Sequence, residues 1–216
     1  MSDGGLVFRE RPAAGAPEGL LVLHHGRGTD EGDLLTLGEV LDPKHRLTVV
    51  TPRGPLQLPG SPGFHWYLVP QVGTPDPETF AAAFAQLSAL HDELWRRTGI
   101  APARTILGGF SMGAVMSYSL GLAPDRPRPA GIMAFSGFIP TVAGWHADLT
   151  TRQGLPVYVA HGRQDQVISV EFARQAQTTL AGGGLQVEYA EYDGGHRIDP
   201  RGLPSAQAWL ERTLPS

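Results

Sequence analysis

Three residues of this chain, Ser111, His196 and Asp165, have the side chains needed to act together as nucleophile, base and acid. Ser111 is the apex of Gly109-Phe110-Ser111-Met112-Gly113. The apolar run Thr105-Ile106-Leu107 enters this stretch and the helical pattern Ala114-Val115-Met116-Ser117-Tyr118 leaves it. The pattern predicts a strand, a sharp turn and a helix, with the serine hydroxyl lifted above a sheet by a strained backbone. Gly109 and Gly113 fit because strand and helix approach too closely there for a Cβ. Such a pattern arises by chance in many chains, so its partners decide the reading. A hydroxyl is a weak nucleophile until a base removes its proton, and imidazole titrates in the range for that task. His196 ends the turn Asp193-Gly194-Gly195-His196, and Asp165 ends His161-Gly162-Arg163-Gln164-Asp165. A carboxylate fixes the imidazole tautomer and supports the imidazolium formed during attack. The chemistry these types allow is acyl transfer through a covalent serine intermediate.

The developing negative charge needs two fixed donors. One is the Met112 N–H, at the start of the helix that follows Ser111. The other is expected from the glycine-rich turn His25-Gly26-Arg27-Gly28, where the peptide N–H of Arg27 faces the same point. The Arg27 side chain invites a reading as a carboxylate binder, but the turn itself assigns its backbone. His25 is read as bracing this turn. Asp193 and Asp199 compete with Asp165 for the acid role. Asp193 would have to reach around two glycines, and Asp199 has the look of a helix cap. His24 and His161 also sit at strand ends. With no cysteine in the chain and no acidic helix pair nearby, they are not read as zinc ligands, and neither a metal nor an organic cofactor is implied. Trp66 and Tyr67 fall in a long Pro/Gly-rich segment from Arg53 to Thr74, and are expected at the substrate-binding wall. The alternative is that they only anchor that loop.

These residues need elements to hold them. Leu20 to Leu23, Leu47 to Val50, Thr105 to Leu107, Gly131 to Phe135, Pro156 to Ala160 and Leu185 to Tyr189 are runs suited to strands covered on both faces. Leu6-Val7-Phe8 is a candidate edge strand. Helical patterns lie between the runs, over 31–41, 75–99, 114–122, 170–180 and 204–214. On the second of these, His91 reads as a surface or boundary residue. The alternation predicts an α/β fold with a mostly parallel central sheet of about seven strands and helices on both faces. Each candidate residue then falls just past the carboxyl end of a strand, where such sheets bind ligands.

Composition narrows the setting. With 216 residues, residues 1–216 are expected to form a single domain. The net charge of −4 gives no footprint for nucleic acid or anionic lipid. No apolar run approaches a membrane span, and Met1-Ser2-Asp3-Gly4-Gly5 does not read as a leader, so a cytoplasmic protein is the expectation. A monomer or weak homodimer without membrane insertion is expected.

The stretch Gly108-Gly109-Phe110-Ser111-Met112-Gly113, the His25-Gly26 turn, Pro52-Arg53-Gly54-Pro55 with Trp66 downstream, Gly162-x-x-Asp165 and the setting of His196 resemble the phospholipase/carboxylesterase family. That family is the small α/β-hydrolase group that includes acyl-protein thioesterases and bacterial carboxylesterases. The likeness covers nearly the whole chain. It implies an α/β-hydrolase fold with little or no cap, a Ser111–His196–Asp165 triad and ester substrates. Acyl-protein thioesterases typically carry Gln after the nucleophile, where this chain has Met112. A serine carboxylesterase acting on small carboxylic esters is therefore expected ahead of an acyl-thioesterase or lysophospholipase. A slow-turnover small-molecule binding protein with the same fold is the rival from another class, and a perhydrolase-like side activity is a further one.

Overall fold

The apolar runs become the strands of one seven-stranded sheet in the computed structural model, which describes residues 5–214. Met1 to Gly4, read above as carrying no leader, lie outside the described residues. The first half of the chain runs β1 (Phe8–Arg11), β2 (Gly19–His24), α1 (Leu35–Leu41), β3 (Leu47–Pro52), β4 (Leu56–Gln57), β5 (Phe64–His65) and α2 (Pro77–Thr98). The second half runs β6 (Thr105–Phe110), α3 (Met112–Leu122), β7 (Gly131–Phe135), β8 (Pro156–Gly162), α4 (Val170–Gly182), β9 (Gln186–Tyr192) and α5 (Leu203–Thr213). The sheet order is β1-β3-β2-β6-β7-β8-β9, and only β1 is antiparallel to its neighbour. This is the mostly parallel sheet that the α/β reading expects.

Side-chain alternation distributes each strand between two cores. Leu20 and Val22 of β2 pack with α2 and α3, whereas Leu21 and Leu23 pack with α1 and α5. On β7, Ile132 and Ala134 face α3 and α4, while Met133 and Phe135 face α5. Burying a leucine on either side is worth roughly 1.5–3 kcal/mol, so both layers contribute to holding the sheet. Every residue of α3 is buried, which places this helix inside the molecule and fixes the turn that precedes it.

Several elements depart from the sequence reading. The first strand covers Phe8–Arg11 and pairs with β3 from Phe8 opposite Pro52 to Arg11 opposite Val49. Its charges are tolerated because Arg11 crosses to Asp42 at 2.5 Å. The first helix begins at Leu35 and not near Glu31, because Glu31 is held outside it: its carbonyl accepts from Thr51 Oγ1 and its carboxylate pairs with Arg53 at 2.5 Å. The 53–74 segment contains the ribbon β4–β5. Phe64 then pairs with the early turn, donating to Thr29 O and accepting from Gly28 N. Gly63 must be glycine for this approach, since a Cβ there would lie 2.0 Å from Gly28 O. His91, expected near the surface, is fully buried on α2.

Candidate active site

The turn after β6 has the strained form its sequence predicts. Ser111 sits at φ 56° and ψ −121°, in a region that L side chains rarely occupy. A Cβ on Gly113 would lie 1.9 Å from His24 O, and one on Gly109 would lie 2.5 Å from the Gly113 backbone. Strand, turn and helix therefore meet with no room for a side chain on either glycine. The Ser111 N–H donates to Phe135 O at 2.8 Å, which ties the turn to the end of β7.

Residues from three strand ends converge on Ser111. Its Oγ lies 2.8 Å from His196 Nε2, and His196 Nδ1 lies 2.7 Å from Asp165 Oδ2. A proton on Nδ1 satisfies the carboxylate and leaves Nε2 as an acceptor facing the hydroxyl. The other carboxylate oxygen of Asp165 accepts from the Val167 and Ile168 N–H groups, each at 2.9 Å. Burial pushes the Asp165 pKa upward, but these amides and His196 together outweigh it and hold the carboxyl below its ordinary value. Asp193 is instead exposed and paired with Arg163 at 2.6 Å, and Asp199 caps a short helical turn by accepting from Arg201 N. The Phe110 ring lies 4.8 Å from the His196 ring, centre to centre, and shields one side of it.

Behind this line stands His161, fully buried. Its Nε2 donates to Ile168 O at 2.8 Å and reaches Asp165 Oδ2 at 3.3 Å. Desolvation lowers its pKa, so it is a neutral prop to the carboxylate. The only sign of this role in the sequence was its place four residues before Asp165.

The early turn is braced as expected. Gly54 N–H donates to His25 Nε2 at 2.8 Å, so His25 carries its proton on Nδ1 and donates to Gly26 O at 2.6 Å. Among the described residues the Arg27 N–H has no acceptor. Met112 opens α3, and the first N–H groups of a helix have no partner within it. Both residues line one cleft of about 460 Å³ together with Ser111 and His196. The rest of its wall is apolar, from Tyr67, Val69 and Val72 on one segment and Phe138, Val167 and Ile168 on two others. Val69, Val72 and Phe138 had no motif to mark them, since they sit in irregular segments.

The sequence reading placed Trp66 beside Tyr67 at the wall, and here the structure differs. Tyr67, itself only 2% exposed, lines the cleft, whereas Trp66 is 0% exposed and does not reach it. Its indole N–H donates to His25 O at 2.9 Å and its backbone N–H donates to Met112 Sδ at 3.2 Å. Trp66 is thus a buried cross-brace between the early turn and the serine turn. Trp145 lines a separate hollow with Phe80 and Phe84.

His24 and His91 form a second support. His24 Nδ1 lies 3.1 Å from Gly108 O and 2.9 Å from Ser117 Oγ, and Ser117 donates to Gly113 O. His24 Nε2 faces His91 Nε2 at 3.4 Å. Burial drives the pKa of both rings down, that of His91 to about 3, so both are neutral.

The mostly parallel sheet, with its serine turn between β6 and α3, defines an α/β-hydrolase. The chain belongs to the phospholipase/carboxylesterase family, whose model matches residues 11–214. It is 28% identical over 200 residues to the putative hydrolase MhqD of Bacillus subtilis (strain 168), across 93% of this chain and 96% of that protein. The acyl-protein thioesterase 1 of Yarrowia lipolytica (strain CLIB 122 / E 150) is 26% identical over 221 residues, across 94% and 95%. Among solved structures, the crystal structure of esterase PE8 superposes with a TM-score of 0.82 at 32% identity, covering 97% of this chain and 100% of that one. Among the described residues no helix is long and apolar enough to cross a membrane.

Proposed function

We propose that this chain, acting as one domain, is a serine carboxylesterase that hydrolyses small carboxylic esters through an acyl-enzyme. The observation that carries the reading is the unbroken line from Ser111 Oγ to His196 at 2.8 Å and on to Asp165 at 2.7 Å, opening into the apolar cleft. Ser111 Oγ attacks the ester carbonyl carbon while His196 Nε2 takes its proton. The carbonyl oxygen gains the charge and is held by the Arg27 and Met112 N–H groups. Collapse breaks the C–O bond, and His196 returns the proton to the departing alcohol. Water then attacks the acyl-serine with His196 again as base, releasing the acid and restoring Ser111.

The test is a panel of p-nitrophenyl esters with labelling by a fluorophosphonate. Ser111→Ala is expected to lose labelling and to turn over about 10⁶-fold more slowly. Labelling of that variant at the native rate would overturn the assignment. The apolar wall also suits the acyl part of a thioester, so an acyl-thioester arm in the same panel decides between these two leaving groups.

A further inference from the structure

The cleft has an uneven distribution of charge. Its wall is hydrocarbon and aromatic apart from Ser111, His196 and one permanently charged residue, Arg27. Arg27 is exposed, and among the described residues its guanidinium has neither an ion pair nor a hydrogen bond. The chain as a whole is acidic, at −4, and the arginine on the neighbouring loop is fully engaged: Arg53 grips Glu31 through two contacts at 2.5 and 2.6 Å. The acids nearest to Arg27 in sequence are turned elsewhere. Asp30 accepts from Gly32 N and Asp33 from Thr29 Oγ1, and both line a different hollow with Pro62 and Gly63. Among the described residues no carboxylate lines the cleft itself, because the Asp165 side chain is 0% exposed behind His196.

An unpaired guanidinium beside an apolar pocket is a receptor for a planar anion held on a short hydrocarbon. A single positive charge neutralises a carboxylate. A phosphate monoester would bring a second negative charge into a wall with nothing to meet it.

We propose that Arg27 makes this cleft selective for esters that carry a carboxylate, pairing with that group while the valine and phenylalanine wall seats the hydrocarbon of the ester. The proposal rests on the serine esterase reading above. It adds a role for the side chain to the role that reading gives the backbone N–H.

The experiment measures kcat/KM on matched pairs, with acid release followed by titration. Methyl hexanoate is compared with monomethyl adipate, which carries the carboxylate on the acyl side. Ethyl hexanoate is compared with hexanoyl glycolate, which carries it on the alcohol side. The hexanoyl ester of 2-hydroxyethyl phosphate forms the phosphate arm. One of the two carboxylate esters is expected to exceed its neutral match. That ratio should fall about tenfold in Arg27→Gln, recover in part in Arg27→Lys, and shrink as salt is raised. Because each ratio is internal to one variant, a general effect on turnover cancels. A ratio that survives Arg27→Gln, neutral esters preferred in both pairs, or the phosphate ester preferred over both carboxylate esters would each overturn the proposal. Fluorophosphonate labelling of Ser111 needs no anion, so its failure would sink the esterase reading and this proposal with it. Labelling with an unchanged ratio would sink this proposal alone.

Discussion

Ser111 occupies a conformation that costs about 1–3 kcal/mol for a residue with a side chain, and glycine would occupy it without strain. Ser111→Gly should therefore be inactive yet more stable, with a melting temperature raised by a few degrees. A calorimetric scan showing no rise would mean that the surrounding contacts, and not the backbone, define this turn. The acid is equally open to test. Asp165→Asn should keep the fold and lower turnover by about 10⁴, since the imidazole tautomer loses its partner. Asp193→Asn, at an exposed site on the far side of Arg163, should be nearly silent; the reverse ranking would exchange their roles. Ser111, His196 and Asp165 could be picked out in the sequence because each follows a recognisable strand. His161 was not legible as the prop of Asp165, because its link runs through Ile168 O, a backbone atom that no residue type announces.

Between elements, the two turns that hold Ser111 and Arg27 are joined by Trp66, which reaches His25 O with its ring and Met112 with its backbone. Trp66→Phe keeps most of the packing but leaves His25 O without that donor, a loss of roughly 1–3 kcal/mol. We expect a lower melting temperature with the order of acyl-chain preference unchanged. A changed order with unchanged stability would restore Trp66 to the wall. The sequence pointed to an aromatic in a long loop and could not say which way it faced. Orientation there depends on Phe64 pairing with the 28–29 turn, a contact between segments about 35 residues apart. The edge strand was misplaced for a related reason. Its charges lack the apolar run by which strands are found, and Asp42, which accepts Arg11, lies 31 residues further on.

At the scale of the whole molecule, buried neutral histidines set the response to acid. The folded protein keeps His24 and His91 unprotonated well below 6.5, and His91 down to about 3, whereas the unfolded chain takes up protons on both near 6.5. The unfolded state thus binds more protons in that window. The stability His91 contributes is fully present above about pH 6.5 and is lost as pH falls toward 3, by roughly 1.4 kcal/mol per unit, and His24 acts with the same sign. Thermal melts from neutral pH downward should show that slope, and His91→Phe should flatten it. An identical slope in the variant would assign the acid response in this window to the other histidines whose pKa burial lowers, His24, His25, His65 and His161. The alternation of strands and helices, and so the sheet, could be read directly from the sequence; the neutral pair could not, because His24 on β2 and His91 on α2 lie 67 residues apart and meet only in the folded protein. Such long-range assembly has a consequence in time. Ser111 leaves the ribosome 85 residues ahead of His196, which arrives only after the last strand, β9. A chain still being made would carry Ser111 without the imidazole it faces in the folded protein, and on the esterase reading its reactivity would begin only when β9 docks on β8. Arrested nascent chains ending short of residue 196 should accordingly resist the fluorophosphonate that marks the finished protein.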